Sequence, residues 1–70
     1  MKNYTIHGIN GPVVTIAGKT DLEMMETVYI GKARLIGEVI NISTERTTIQ
    51  CYENTTGVRP GEPVVRTGMP

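Results

Sequence analysis

The stretch ARLIGEVINISTERTTIQCY, residues 33–52, decides the fold class. In its first half Leu35, Gly37 and Val39 fall on one face and Ile36, Glu38, Ile40 and Ile42 on the other, the two-residue period of a β-strand. Ser43-Thr44-Glu45-Arg46 then supplies a turn. A second strand follows, with Thr47, Ile49 and Cys51 on one face and Thr48, Gln50 and Tyr52 on the other. The first of these strands carries apolar residues on both faces. In so short a chain, either it crosses a barrel with its outer face covered, or that face is kept for a partner. Gly37 weakens the middle of the strand unless the sheet coils sharply there or another backbone comes close.

Outward from this hairpin, short β-favouring runs recur between turn residues. Towards the amino terminus, YTIHGI alternates until Gly8 allows a bend. Asn10-Gly11 signals a tight turn, and Pro12 begins the strand VVTIA at a position that needs no N–H. KTDLEMMET changes the pattern: Asp21 is a candidate cap, and no β-branched residue lies between Asp21 and Glu26. The segment is expected to form a short helical or irregular crossover that lays Leu22 and Met25 on the core. TVYIG resumes a strand. Beyond residue 52, Gly57 and the pair Pro60-Gly61 mark two turns, and Pro63 opens the last strand, PVVRT. The expected architecture is all-β: a small, closed, six-stranded antiparallel barrel of Greek-key type, formed by residues 1–70 as one domain.

Seventy residues bury only about 60% of the surface of the unfolded chain, so stability is thin unless a partner adds to it. Cys51 is the single cysteine, which excludes an internal disulfide and a thiolate metal cluster. Seven basic and seven acidic residues cancel, so the electrostatic footprint of a nucleic-acid binder is missing. No apolar run has the length of a signal peptide core or a membrane span, and a cytoplasmic chain without membrane insertion is expected. Asn41-Ile42-Ser43 and Asn54-Thr55-Thr56 fit the N-glycosylation pattern, which has no role without a secretory signal.

The candidates for chemistry are few. His7 is the one side chain that titrates near neutrality, and no Ser, Cys or carboxylate stands at a recognisable spacing from it. Cys51 alternates with Ile49 and reads as core. Glu23 and Glu26, three apart, lack the further ligands of a metal site and read as a solvated face. GVRPGEP resembles a phosphate loop superficially, but Gly57 and Gly61 are one residue too close and Glu62 stands where a lysine belongs. Tyr4, Tyr29 and Tyr52 are too scattered for a base-stacking platform. No catalytic, cofactor-binding or metal-binding residue is assigned. Gly11, Pro12, Gly37, Gly57, Pro60, Gly61 and Pro63 are read as structural turn and packing positions.

Taken in order, Gly11-Pro12-Val13-Val14, Leu35-Ile36-Gly37-Glu38-Val39-Ile40, Gln50 to Gly57, Pro60-Gly61-Glu62-Pro63-Val64 and Thr67-Gly68-Met69-Pro70 carry a family resemblance. The chain resembles the N-terminal domain of the catalytic A subunit of archaeal and vacuolar-type rotary ATPases. The VYIG strand and the PGEPV ending with its Thr67-Gly68-x-Pro70 favour that subunit over the similar non-catalytic B subunit. The resemblance implies a six-stranded barrel set in a ring of alternating A and B subunits that holds a hexameric head together. It implies that ATP and Mg belong to a nucleotide-binding domain after Pro70, and that the isolated segment is a monomer within a peripheral, membrane-associated complex on the cytoplasmic side. The parent would synthesise or hydrolyse ATP coupled to proton or sodium transport. A different class, an independent small-barrel module for RNA or protein, would require a basic aromatic face.

Overall fold

The computed structural model describes residues 3–70. Among the described residues, seven strands form one antiparallel sheet: β1 Asn3–Thr5, β2 Gly8–Asn10, β3 Val13–Ala17, β4 Thr27–Ile30, β5 Leu35–Ile42, β6 Arg46–Cys51 and β7 Pro63–Arg66. Their order is β1-β7-β4-β5-β6-β3-β2. β4, β5 and β6 form a meander, and β7 returns to lie beside β4, which is the Greek-key arrangement.

The amino-terminal run closes the sheet. β1 pairs with β7 through Tyr4 opposite Val64, and β2 pairs with β3 through Ile9 opposite Val14. Between them the Ile6 N–H donates to Glu62 O at 2.9 Å, the Gly61 N–H to Ile6 O at 2.8 Å, and the His7 N–H to Thr15 O at 2.7 Å. One run thus passes from one edge of the sheet to the other, and the edges that would template aggregation are joined. The alternation pattern suggests six strands. The count is seven because the first run breaks at Ile6 and His7, where it changes partners, one residue before Gly8.

Alternation sends one face of every long strand inwards. Val14 and Ile16, Val28 and Ile30, Val39, Ile49 and Cys51, and Val64 make the core, with Ile6 and Leu22 capping it. Thr47 is the polar member of this layer, and its hydroxyl lies 2.7 Å from the Thr20 hydroxyl, so both buried oxygens are satisfied. Gly37 faces the same interior. A Cβ there would sit 2.6 Å from Ile30 Cδ1, 2.9 Å from Ile49 Cγ2 and 3.0 Å from Gln50 O, so the narrow barrel has no room for a side chain at this position.

Two expectations are corrected. The segment before β4 takes the irregular of its two expected forms, but Met25 does not lie on the core. The Glu26 N–H closes a turn on Glu23 O at 3.1 Å, the Met25 N–H donates to Val39 O at 2.8 Å and the Val39 N–H to Glu26 O at 3.0 Å. Met25 takes a φ of +68°, which turns its side chain out to 61% exposure, while Glu26 is turned in. Leu22 packs on the core as expected. In β5 the register slips between Val39 and Asn41, so Ile40 is an extra, bulged residue on the outside. Beyond the bulge the parity is reversed: Ile42 lies opposite buried Thr47 and packs against the core, instead of sharing the outer face with Ile36 and Ile40.

Candidate functional site

The positions singled out from the sequence lie in turns and in the barrel interior. Gly11 and Pro12 form the two-residue loop of the β2–β3 hairpin, with Gly11 at φ +59° in the first central position that a primed turn requires. Pro12 O accepts the Cys51 N–H at 2.8 Å, and Gly11 O accepts the Thr55 hydroxyl at 2.8 Å, so this loop is docked on the exit of β6. Gly57, at φ +91°, is the second central residue of a turn closed by the Val58 N–H donating to Thr55 O at 2.9 Å. Asn54 Oδ1 accepts the Thr56 N–H and hydroxyl at 2.9 and 2.6 Å, so the Asn-x-Thr pattern here is a side-chain-capped turn. Pro60 and Gly61 are the central pair of a turn closed by the Glu62 N–H donating to Arg59 O at 3.2 Å. Pro63 begins β7, and its carbonyl accepts the Gly31 N–H at 2.7 Å.

The same turn shows how the GVRPGEP segment stands towards a phosphate. Glu62 Oε1 accepts the Lys32 N–H at 3.0 Å and Oε2 the Arg59 N–H at 3.2 Å. The backbone donors that an anion would need are already bound by a resident carboxylate. The residues present do not fit a nucleotide phosphate. Among the described residues, no group of three or more His, Cys, Asp or Glu is placed to hold a metal ion. Cys51 lies in the core. His7 is exposed and borders an open hollow of about 150 Å³ with Thr15, Ala17, Glu45 and Arg46.

The strongest polar constellation is not legible locally. Glu23 and Glu26 read from spacing as a solvated face, and for Glu26 this is corrected: it is 3% exposed, and four donors converge on its carboxylate. Arg66 Nε donates to Oε2 and its terminal nitrogen to Oε1, both at 2.9 Å, as a bidentate fork. The Gly68 N–H reaches Oε2 at 2.8 Å and the Glu23 N–H reaches Oε1 at 3.0 Å. Arg66 also pairs with Asp21 at 3.1 Å, and Asp21 accepts a hydrogen bond from the Tyr4 hydroxyl, which itself accepts the Asp21 N–H at 3.0 Å. Burial pushes the Glu26 carboxyl up. The Arg66 fork, the two backbone N–H groups and the Arg66 charge outweigh it and hold the group below the usual carboxylate range. Burial and the Asp21 hydrogen bond push the Tyr4 phenol above its ordinary value. Arg66 and Gly68 lie 40 and 42 positions from Glu26 in the chain, so only the fold brings these donors to it.

A second feature lies on the outer wall. Val65 pairs with Tyr29, Tyr29 with Ile36, and the Tyr52 N–H donates to Ile36 O at 3.0 Å. Two tyrosines that look scattered in the sequence therefore flank Ile36 in one row across β7, β4, β5 and the end of β6. Ile36 is 43% and Tyr52 60% exposed. The Arg34 guanidinium stacks 4.4 Å from the Tyr29 ring centroid, and the Tyr52 hydroxyl donates to Glu38, so the row has a charged rim.

Comparison with known proteins agrees with this architecture. The ATP synthase alpha/beta family, beta-barrel domain, matches residues 6–68. The A subunit of the A-type ATP synthase of Metallosphaera sedula is 48% identical over 62 residues, 89% of this chain and 10% of that protein. The corresponding A subunits of the A-type ATP synthases of Saccharolobus islandicus and Saccharolobus solfataricus are each 47% identical over 70 residues, all of this chain and 12% of theirs. The chain thus spans about one-tenth of the length of these curated relatives. A closed Greek-key sheet built on the Gly11-Pro12 loop, the Gly37 strand and the Pro60-Gly61 turn, matched over residues 6–68, places this chain in the beta-barrel domain of the ATP synthase alpha/beta family.

Proposed function

We propose that this chain is the amino-terminal assembly barrel of the catalytic A subunit of an archaeal or vacuolar-type ATP synthase, residues 1–70 forming one domain of a longer polypeptide. The observation that carries the reading is 47% identity, across all 70 residues, to A subunits of A-type ATP synthases of which the chain covers 12%. In this reading the barrel packs beside barrels of non-catalytic B subunits in a hetero-hexameric ring. The ring stays rigid while the parts of the subunits below it open and close. ATP and Mg are bound by the parent's nucleotide domain, and the turn residues named above serve geometry alone. The complex is peripheral to the membrane on its cytoplasmic side and couples ATP synthesis or hydrolysis to proton or sodium movement. The exposed Ile36 row supports a packing role, since adjacent apolar outer-face residues in so small a barrel suit a neighbouring protein surface better than water.

The reading frame beyond Pro70 tests this directly. It is expected to run into a long chain with a G-x-x-x-x-G-K-[ST] loop, and a stop codon at that point would overturn it. Co-expression of the complete subunit with a B subunit is expected to yield an alternating hexamer by native mass spectrometry. A complete subunit that stays monomeric beside its B partner would contradict the ring.

A further inference from the structure

Residues 67–69 do not simply continue β7. The Thr67 N–H donates to Thr27 O at 3.2 Å, and the Thr27 N–H donates to Met69 O at 2.7 Å, so the segment wraps around one residue of β4. Gly68 makes the wrap with a φ of +77°. This leaves the Gly68 N–H without a ladder partner, and the Glu26 carboxylate supplies one at 2.8 Å. The same carboxylate is forked by Arg66, the last residue of β7. One buried acid therefore binds the end of the final strand and the segment that follows it, and ties both to the crossover before β4.

We propose that Glu26 is a positioning residue which, with Arg66, forms a clasp that fixes the path of residues 67–69 on the barrel wall. Resting on the reading above, in which the chain continues into a nucleotide-binding domain, the clasp makes the barrel a rigid mount for that domain. Without it, among the described residues, the hydrogen bonds that hold 67–69 to the barrel would be those to Thr27, where Thr67 adds a hydroxyl bond of 2.6 Å to the carbonyl. Among the described residues, the charged and titratable groups near Glu26 are Arg66 from β7, Glu23, which shares a hollow with it, and Asp21 from the crossover and, through Asp21, Tyr4 from β1. Arg66 is the cation of this set, and it remains charged at any pH a protein survives. Opening by acid therefore proceeds through the Glu26 carboxylate that Arg66 forks.

Hydrogen exchange followed by mass spectrometry on the complete subunit tests the clasp. Glu26→Gln places an amide nitrogen where four donors converge, and Arg66→Lys keeps the charge but loses the fork. At pH 7, peptides covering residues 67–69 are expected to exchange at least tenfold faster in Glu26→Gln, and by a smaller factor in Arg66→Lys, while peptides across Ile49 in β6 keep their rate. Unchanged exchange at 67–69 in both variants would overturn the clasp, and so would a parallel acceleration at Ile49. Should Glu26→Gln fail to fold, the wild-type subunit compared at pH 7 and at a pH below the depressed folded value of Glu26, with exchange corrected for the intrinsic rate at each pH, decides. Selective loss of protection at 67–69 is expected, and loss equal to that at Ile49 overturns the proposal. If the reading frame ends after residue 70 the mount has no load, yet exchange in the chain itself still reports on the clasp, so the two failures are distinguishable.

Discussion

At the scale of single residues, Gly37 shows how little free volume the barrel has. Its missing Cβ is replaced by Ile30 Cδ1 and Ile49 Cγ2, both within 3 Å of where that carbon would stand. Gly37→Ala is therefore expected to destabilise the chain by about 1–3 kcal/mol through overpacking. Gln50 O, a backbone atom that cannot rotate away, also hems the site. Urea denaturation followed by circular dichroism checks this, and a midpoint equal to wild type would show that the interior relaxes around a methyl group. Glu26 belongs to the same scale through its protonation. Its folded-state value is depressed, so the stability it contributes is complete above the unfolded carboxylate value of about 4.3 and is lost as pH falls through the lower folded value. Thermal melts between pH 7 and pH 3 are expected to fall more steeply for wild type than for Glu26→Gln. Equal slopes would mean that Glu26 is not the group being titrated.

At the scale of elements, β5 is where strict alternation and structure part. A two-residue period puts Ile40 and Ile42 on one face with Ile36. The bulge at Ile40 inserts a residue, and Asn41 and Ile42 then resume pairing opposite Thr48 and Thr47. Ile42 is thereby returned to the core while Ile40 stays 39% exposed. Ile42→Ser is expected to cost about 1–2 kcal/mol and Ile40→Ser no more than about 0.5 kcal/mol, measured by the same denaturation. Equal losses would place both side chains alike and remove the bulge. The bulge also bends the strand and increases its twist, which is how an eight-residue strand follows the curve of a small barrel. The crossover before β4 is a parallel case. Its composition favours a helix, but its length makes an isolated helix marginal, and a turn from Glu23 to Glu26 with two bonds to Val39 decides in favour of an irregular crossover.

At the scale of the whole molecule, the outer wall carries the row of Val65, Tyr29, Ile36 and Tyr52 over four neighbouring strands. Replacing Ile36, whose side chain lies outside the core, tests whether this row packs against another barrel. Ile36→Lys is expected to leave the thermal midpoint of the subunit near that of wild type, since surface changes stay within about 0.5 kcal/mol. It is expected to weaken assembly with B subunits at least tenfold in native mass spectrometry. Unchanged assembly would move the contact to another wall of the barrel. Closure has its own molecular-scale consequence. Because one amino-terminal run serves both β7 and β3, damage there opens two edges at once, and among the described residues there is no second sheet to compensate.

How much of this was legible follows from the range of each interaction. Turns are local: glycine and proline act on their own dihedral angles, so a turn around Gly11, the turn at Pro60-Gly61 and the all-β class could be read directly from the residues, although Pro12 closes the first loop and does not open β3. Alternation is also local, and it placed Thr47, Ile49 and Cys51 on the inner face and Thr48, Gln50 and Tyr52 on the outer. What the tertiary structure alone decided involves residues far apart in the chain. The partner change at Ile6 and His7 depends on where β3 and β7 lie, and the bulge at Ile40 on the register with β6. The burial of Glu26 depends on an arginine some 40 residues away, since a carboxylate can be taken out of water only where donors from several segments meet it. By itself the sequence determined the all-β class, the turns and the strands from β3 onward. Closure, register and the buried charge at the end of β7 were decided by contacts that no local pattern encodes.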